Sequence, residues 1–333
     1  MSLDVGKLPP DLLRKWLSRV PVHDPRVVVG ARYGEDAAVI DIGDSFLVAK
    51  TDPITFTADR LGWYALNINA NDVATMGARP RWFLAALLLP AGAATARLAD
   101  SIFEDILGAC DELGVTLCGG HTEVTAAVRQ PVLVGHMLGE TQGRRLMTLQ
   151  SARPGDAVLL TKGVAIEGTA IIAREKGDEV RHTFGEPFRR RAAAFLEHPG
   201  ISVVREALIA ADIEGVRAMH DPTEGGLAEG LAELAAAAAC GLKVREDAIR
   251  IYPETAALCR DYQLDPLGLI ASGALLIVAE PEAVPAVARA LEKADVECAV
   301  IGRLTSEPDL VMVREGRAEP LAHSHVDQIT RVL

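Results

Sequence analysis

Apolar residues fall along this chain in two kinds of pattern, short nearly continuous runs and longer stretches that repeat every three or four positions. The short runs at 37–40, 46–50, 81–89, 115–118 and 131–139 predict strands. The periodic stretches at 62–76 and 94–113 predict helices, the first stopped by Gly77 and Pro80. Further on, strands are predicted at 157–161, 216–219, 274–279 and 298–302. Helices are predicted at 166–176, 201–211, 227–240 and 282–293. The turn cluster Ser151-Ala152-Arg153-Pro154-Gly155-Asp156 separates two halves, each mixing helix and strand. The expectation is an α+β protein of two α/β domains, residues 1–150 and 151–333.

Length agrees with that division, because 333 residues exceed what one core usually serves. With 49% hydrophobic but only 4% aromatic residues, the two interiors should be aliphatic. A net charge of −12 argues against a nucleic-acid partner, which needs a basic surface, but not against ATP bridged by Mg²⁺. The five cysteines lie far apart without a C-x-x-C pair, so buried reduced thiols are expected rather than zinc or redox chemistry. The longest apolar stretch, 82–96, is broken by Pro90 and Gly92 and is too short to span a bilayer. No basic segment leads into an apolar one near the start, so a cytoplasmic location and no membrane association are expected. The run Arg189-Arg190-Arg191 reads as the solvated start of a helix.

Several short acidic motifs stand where the pattern changes. Asp36 follows Gly30 and Gly34, either as a ligand beside a backbone that bends over its target or as a plain turn before a strand. Asp52 closes an apolar strand, and Asp52-Pro53 also reads as an ordinary turn opener. Asn67, Asn69, Asn71 and Asp72 crowd an otherwise apolar helix. Such poor helix formers must be bonded or ligated when buried, which points to a ligand role for Asp72 with Asn71. After 115–118, Gly119-Gly120 permits close backbone approach, and His121 and Glu123 fall on one side of an extended chain, as ligands or as an exposed turn. In His220-Asp221-Pro222-Thr223-Glu224-Gly225-Gly226, Asp221 is placed as a helix N-cap with Pro222 in the first turn. A Gly-rich helix start is also an anion site. No Walker A, dinucleotide-binding or hydrolase-elbow pattern occurs.

Taken together, these motifs resemble the aminoimidazole ribonucleotide synthetase-like (PurM-like) ATP enzymes, and within them most resemble the HypE hydrogenase-maturation family. The resemblance rests on Gly34-Glu35-Asp36-Ala37-Ala38-Val39, Thr51-Asp52-Pro53-Ile54-Thr55, Asn71-Asp72-Val73-Ala74-Thr75-Met76-Gly77-Ala78-Arg79-Pro80 and His220-Asp221-Pro222-Thr223. It implies a two-domain fold and a homodimer whose N-terminal strands form a barrel. It further implies ATP and Mg²⁺ as cofactors, a small-molecule substrate, and a carbamoyl-transfer maturation partner. By the same resemblance Asp36, Asp52 and Asp72 hold Mg²⁺, while Gly34, Asn71, Gly119, Gly120 and Thr122 line the nucleotide. Asp221, with His220, faces the reacting group.

Two departures qualify the match. The family's Gly-Gly-Asp-Thr reads Gly119-Gly120-His121-Thr122-Glu123 here, which passes the metal role to Glu123. The sequence also ends without the tail cysteine of HypE, its last cysteine being Cys298. The expected activity is Mg²⁺-dependent, ATP-driven activation of a small substrate's oxygen by phosphoryl transfer. The alternative is a HypE-derived nucleotide-binding accessory protein in metallocentre maturation.

Overall fold

The computed structural model describes residues 8–32, 34–55, 57 and 59–333; Tyr33, between the glycines that precede Asp36, lies outside them. Contacts divide the chain into two compact units. The N-terminal unit comprises 22–30 and 36–146, and the C-terminal unit joins 147–333 to the described residues of 1–21 and 31–35. Gly34 and Glu35 therefore group with the C-terminal unit and Asp36 with the N-terminal one.

After helix α1 (Pro10–Leu17), the N-terminal unit contributes β1 (Val27–Val29), β2 (Ala38–Asp41), β3 (Phe46–Ile54) and α2 (Leu61–Thr75). It continues with β4 (Ala78–Pro90), α3 (Ala96–Leu113), β5 (Thr116–Thr125) and β6 (Val132–Thr141). Its sheet runs β1-β2-β3-β6-β4-β5, antiparallel except for β4 beside β5. Helix α3 has an ordinary amphipathic stripe, with Ile102, Ile106, Ala109 and Cys110 buried. Thr95 caps its start by accepting the Leu98 amide, and Gly114 ends it in the left-handed region. Helix α2 packs so closely on α3 that a Cβ at Gly62 would strike the Ile102 carbonyl at 2.5 Å.

Three expectations for this unit change. Strand β3 continues through Asp52-Pro53, which form no turn. Strand β2 pairs only with residues 46–49, so beyond them β3 has β6 alone as a partner and Pro53 lacks no needed N–H. Pro80 likewise lies inside β4, beside a register shift and outside the span that pairs with β5. Strand β5 passes straight through Gly119-Gly120, where its register against β4 shifts. A Cβ at Gly120 would overlap the Ala85 backbone, so the pair serves close strand contact instead of ending the strand.

The C-terminal unit contains β7 (Ala157–Thr161), α4 (Ile166–Glu175), α5 (Gly177–Phe184), α6 (Glu186–Ala193), α7 (Val204–Ala211), β8 (Val216–His220) and α8 (Gly226–Ala238). There follow β9 (Gly241–Arg245), α9 (Pro253–Asp261), β10 (Leu276–Ala279), α10 (Val284–Glu292), β11 (Cys298–Thr305), β12 (Leu310–Arg314) and β13 (Arg317–Pro320). Its sheet order is β13-β12-β9-β11-β7-β10-β8, with β9 and β12 the parallel pair. Strands β7 and β10 are buried on both faces, which is why they read as unbroken apolar runs. Both units mix helix and sheet, as expected.

Asp221 does not cap a helix here. Residues 221–223 are irregular and α8 begins at Gly226, because Gly225 and Gly226 both adopt left-handed φ, +83° and +67°. The run Arg189-Arg190-Arg191 closes α6 instead of opening it, and its guanidinium groups pair with Glu186 and Glu254. Cys110, Cys240 and Cys259 are buried free thiols, but Cys118 is exposed on β5. Burial pushes Cys110 up to about 11 and Cys259 up to about 12, which suppresses thiolate chemistry there. Among the described residues no helix is long and apolar enough to cross a membrane.

Candidate functional site

Helix α2 is buried almost all round, so its polar side chains must find partners inside the protein. Asn67 Nδ2 donates to the Trp63 carbonyl at 2.9 Å, and Thr75 Oγ1 donates to the Asp72 carbonyl at 2.7 Å. Asn69 Nδ2 donates to the Ala65 carbonyl, while its Oδ1 accepts the backbone amide of Asp52, both at 2.8 Å. That last bond fastens α2 to β3 at Asp52. Opposite Asp52 stands Gly135, where a Cβ would overlap the Asn69 amide.

Around this fastening the carboxylates gather. Lys50 Nζ lies 3.2 Å from Asp52 Oδ2 and 3.3 Å from Asp72 Oδ2. Lys50 and Asp52 are two apart on β3 and therefore share a face. Thr75 Oγ1 lies 3.2 Å from Asp36 Oδ2, so Asp36, Thr75, Asp72, Lys50 and Asp52 form one continuous polar chain. Asp72 is 6% exposed and Asp52 36%, which opens the group to solvent at Asp52. The set fits Mg²⁺: its anionic donors are hard carboxylate oxygens, and two of them already converge on a cationic group. Asn71, adjacent to Asp72, is completely buried.

The other predicted ligands of this unit stand apart from that chain. Gly119, Gly120, His121, Thr122 and Glu123 are all exposed on the edge strand β5. His121 and Glu123 do share a side, their contact being with each other at 3.2 Å between Nε2 and Oε2.

In the C-terminal unit His220 ends β8 and Asp221 follows it, both buried. His220 Nε2 lies 3.2 Å from Glu233 Oε2 on α8. One turn earlier on that helix, Glu229 Oε2 lies 2.8 Å from His323 Nδ1. Gly34 packs beside α8, where a Cβ would stand 3.1 Å from Ala237. The loop after Asp221 is held from two directions. The Thr223 carbonyl accepts the Ala271 amide at 3.2 Å, and Asp327 Oδ2 accepts the Gly225 amide at 2.7 Å.

This loop borders a second acidic group with a different character. Glu167, in the first turn of α4, is 3% exposed. Burial pushes its carboxyl up to about 8; a hydrogen bond with Ser272 opposes the rise, and the charges of Glu224 and Asp327 add to it. Burial likewise pushes Asp327 up to about 6 against the backbone amides that bond it. Lys50, Thr75, Glu233, Glu167 and Asp327 were not among the residues expected at a site. A signal existed for Lys50, two before Asp52 on a strand, and for Thr75, one helical turn after Asp72. None existed for Asp327, which meets Gly225 only through the fold.

Residues 34–141 match the N-terminal domain of AIR synthase related protein, and residues 153–315 match its C-terminal domain. The carbamoyl dehydratase HypE of Rhodobacter capsulatus is 34% identical over 269 residues, spanning 79% of this chain and 74% of that protein. The chain belongs to the AIR synthase-related family, on the side of it that contains HypE. Among solved structures, a HypE–HypF complex superposes with a TM-score of 0.77 at 18% identity, covering 94% of this chain and 99% of that one. HypE in complex with ATP gives 0.74 at 23% identity, covering 93% and 92%. These two likenesses establish a shared fold.

Proposed function

We propose that this protein is a Mg²⁺-dependent enzyme that uses ATP to activate an oxygen of a small substrate by phosphoryl transfer. The observation that carries the reading is the convergence of Asp52 and Asp72 on one cation, with Asp36 joined to them through Thr75. Supporting it are the relatives named carbamoyl dehydratase and the HypE structure determined with ATP. In this reading Asp36, Asp52 and Asp72 hold Mg²⁺ on the polyphosphate. Gly34, Asn71, Gly119, Gly120 and Thr122 contact the nucleotide, and Glu123 supplies a further carboxylate. Asp221 and His220 serve the reacting group, with Glu233 orienting the imidazole.

Bound Mg²⁺ would supply charge neutralisation at the phosphates, which is the main need of phosphoryl transfer. The chain's own contribution is positioning. Asn69 fixes the backbone of Asp52, and Thr75 links Asp36 to the helix that carries Asp72. The exposed edge strand β5 supports a homodimer built through the N-terminal strands. The HypE–HypF complex supports a protein partner, which this reading takes to be a carbamoyl-transfer maturation protein.

The reading is tested by following phosphate release from ATP with Mg²⁺ in the presence of small amides, carboxylates and phosphate esters. Substrate-stimulated release that disappears in Asp72→Asn is the expected result. Release that is equal in wild type and Asp72→Asn would overturn it.

A further inference from the structure

A pair of carboxylates awaiting a divalent ion has no need of a lysine between them, yet Lys50 is there. Its side chain is only 19% exposed, and its ammonium reaches the Oδ2 atoms of both Asp52 and Asp72. A lysine so largely covered is rare unless it is paired, and this one reaches two carboxylates. Mg²⁺, if held by these two residues, would take up carboxylate oxygens beside the ammonium. It would then compete with the ammonium for the same electron pairs, and two cations cannot share that position.

We infer that Lys50 is the resident cation of the metal site: its ammonium holds Asp52 and Asp72 together until a divalent ion displaces it, and it then becomes a ligand for the anion arriving with the metal. The inference rests on the proposed reading of these aspartates as Mg²⁺ ligands. Lys50 lies on the same face of β3 as Asp52 and is anchored there by the strand, so the displaced ammonium stays beside the site. A long flexible stem with a point charge at its tip suits this exchange. Displacement has a thermodynamic consequence. Metal alone must break an ion pair without compensation, whereas metal with a polyphosphate offers the ammonium a new partner. Mg²⁺ and ATP should therefore strengthen each other's binding through Lys50.

The experiment is calorimetric titration of Mg²⁺ into the nucleotide-free protein, then of ATP with and without Mg²⁺, on wild type, Lys50→Met and Lys50→Arg. Lys50→Met should bind Mg²⁺ alone about tenfold more tightly than wild type and Mg-ATP about tenfold more weakly. Lys50→Arg, which keeps the charge, should stay near wild type. Mg²⁺ affinity that is the same or weaker in Lys50→Met would overturn the inference while leaving the metal site standing. Absence of Mg²⁺ binding in every protein, with or without ATP, would overturn the metal-site reading itself. Should Lys50→Met not fold, wild type decides alone: Mg²⁺ and ATP that fail to tighten one another rule out the displacement.

Discussion

In the N-terminal unit the carboxylates of Asp52 and Asp72 share the ammonium of Lys50, whereas in the C-terminal unit the charges that bear on Glu167 are the carboxylates of Glu224 and Asp327. Each group contains buried acids, Asp72 in the first and Glu167 and Asp327 in the second. Their surroundings set them apart. The ammonium between Asp52 and Asp72 occupies oxygens that a divalent cation could take. Burial makes Glu167 retain its proton instead, and the like charges of Glu224 and Asp327 add to that effect.

The sharpest way to press this contrast is to remove the charge that burial opposes. Glu167 has its carboxyl raised from 4.5 to about 8 by burial, so the folded chain binds a proton that the unfolded chain releases between those values. Its contribution to stability is complete below about pH 4.5 and is lost as pH rises through about 8. Urea unfolding should show stability of the C-terminal unit falling across that window by several kcal/mol. Glu167→Gln should flatten the dependence. An unchanged slope in the variant would remove Glu167 from the account.

A smaller effect is expected from Gly135→Ala, which tests whether α2 must fit closely to hold Asp52. The added methyl overlaps the Asn69 amide, and overpacking of this kind costs about 1–3 kcal/mol. The midpoint of denaturation should fall, and Mg-ATP affinity should fall with it. A loss of stability that leaves affinity untouched would separate the Asn69 fastening from the site. At the bottom of the scale stands the exposed pair Asp24–Arg26, bonded at 2.7 Å but open to solvent. Arg26→Ala should leave the thermal midpoint unchanged, since screening makes such a pair nearly neutral.

Much of the fold was legible because its elements obey local rules. Helix α3 carries its stripe, its threonine cap and its terminal glycine in plain view, and β7 is the unbroken run at 157–161. The errors share a physical cause. Asp52-Pro53 looks like a turn because a proline cannot donate to a ladder, but here the neighbouring strand has already ended. Gly119-Gly120 permits close backbone approach, as its sequence suggests, but that the approaching backbone is Ala85 of the neighbouring strand is visible only in three dimensions. Asp221 has every local mark of an N-cap, yet the left-handed glycines that follow start the helix later. At the site itself, the crowd of Asn and Asp on an apolar helix pointed correctly to buried polar bonding on α2. For Lys50 the only signal is its spacing, two before Asp52 on a strand, because a lysine after an apolar run also reads as solvated.

We propose above that Asp52 and its neighbours hold a nucleotide through Mg²⁺. Calorimetric titration with ATP, with and without Mg²⁺, on wild type and Asp52→Asn tests it most directly. Binding should depend on Mg²⁺ in wild type and weaken at least about tenfold in the variant, where one charged ligand is gone. ATP affinity that is indifferent to both Mg²⁺ and Asp52 would contradict it.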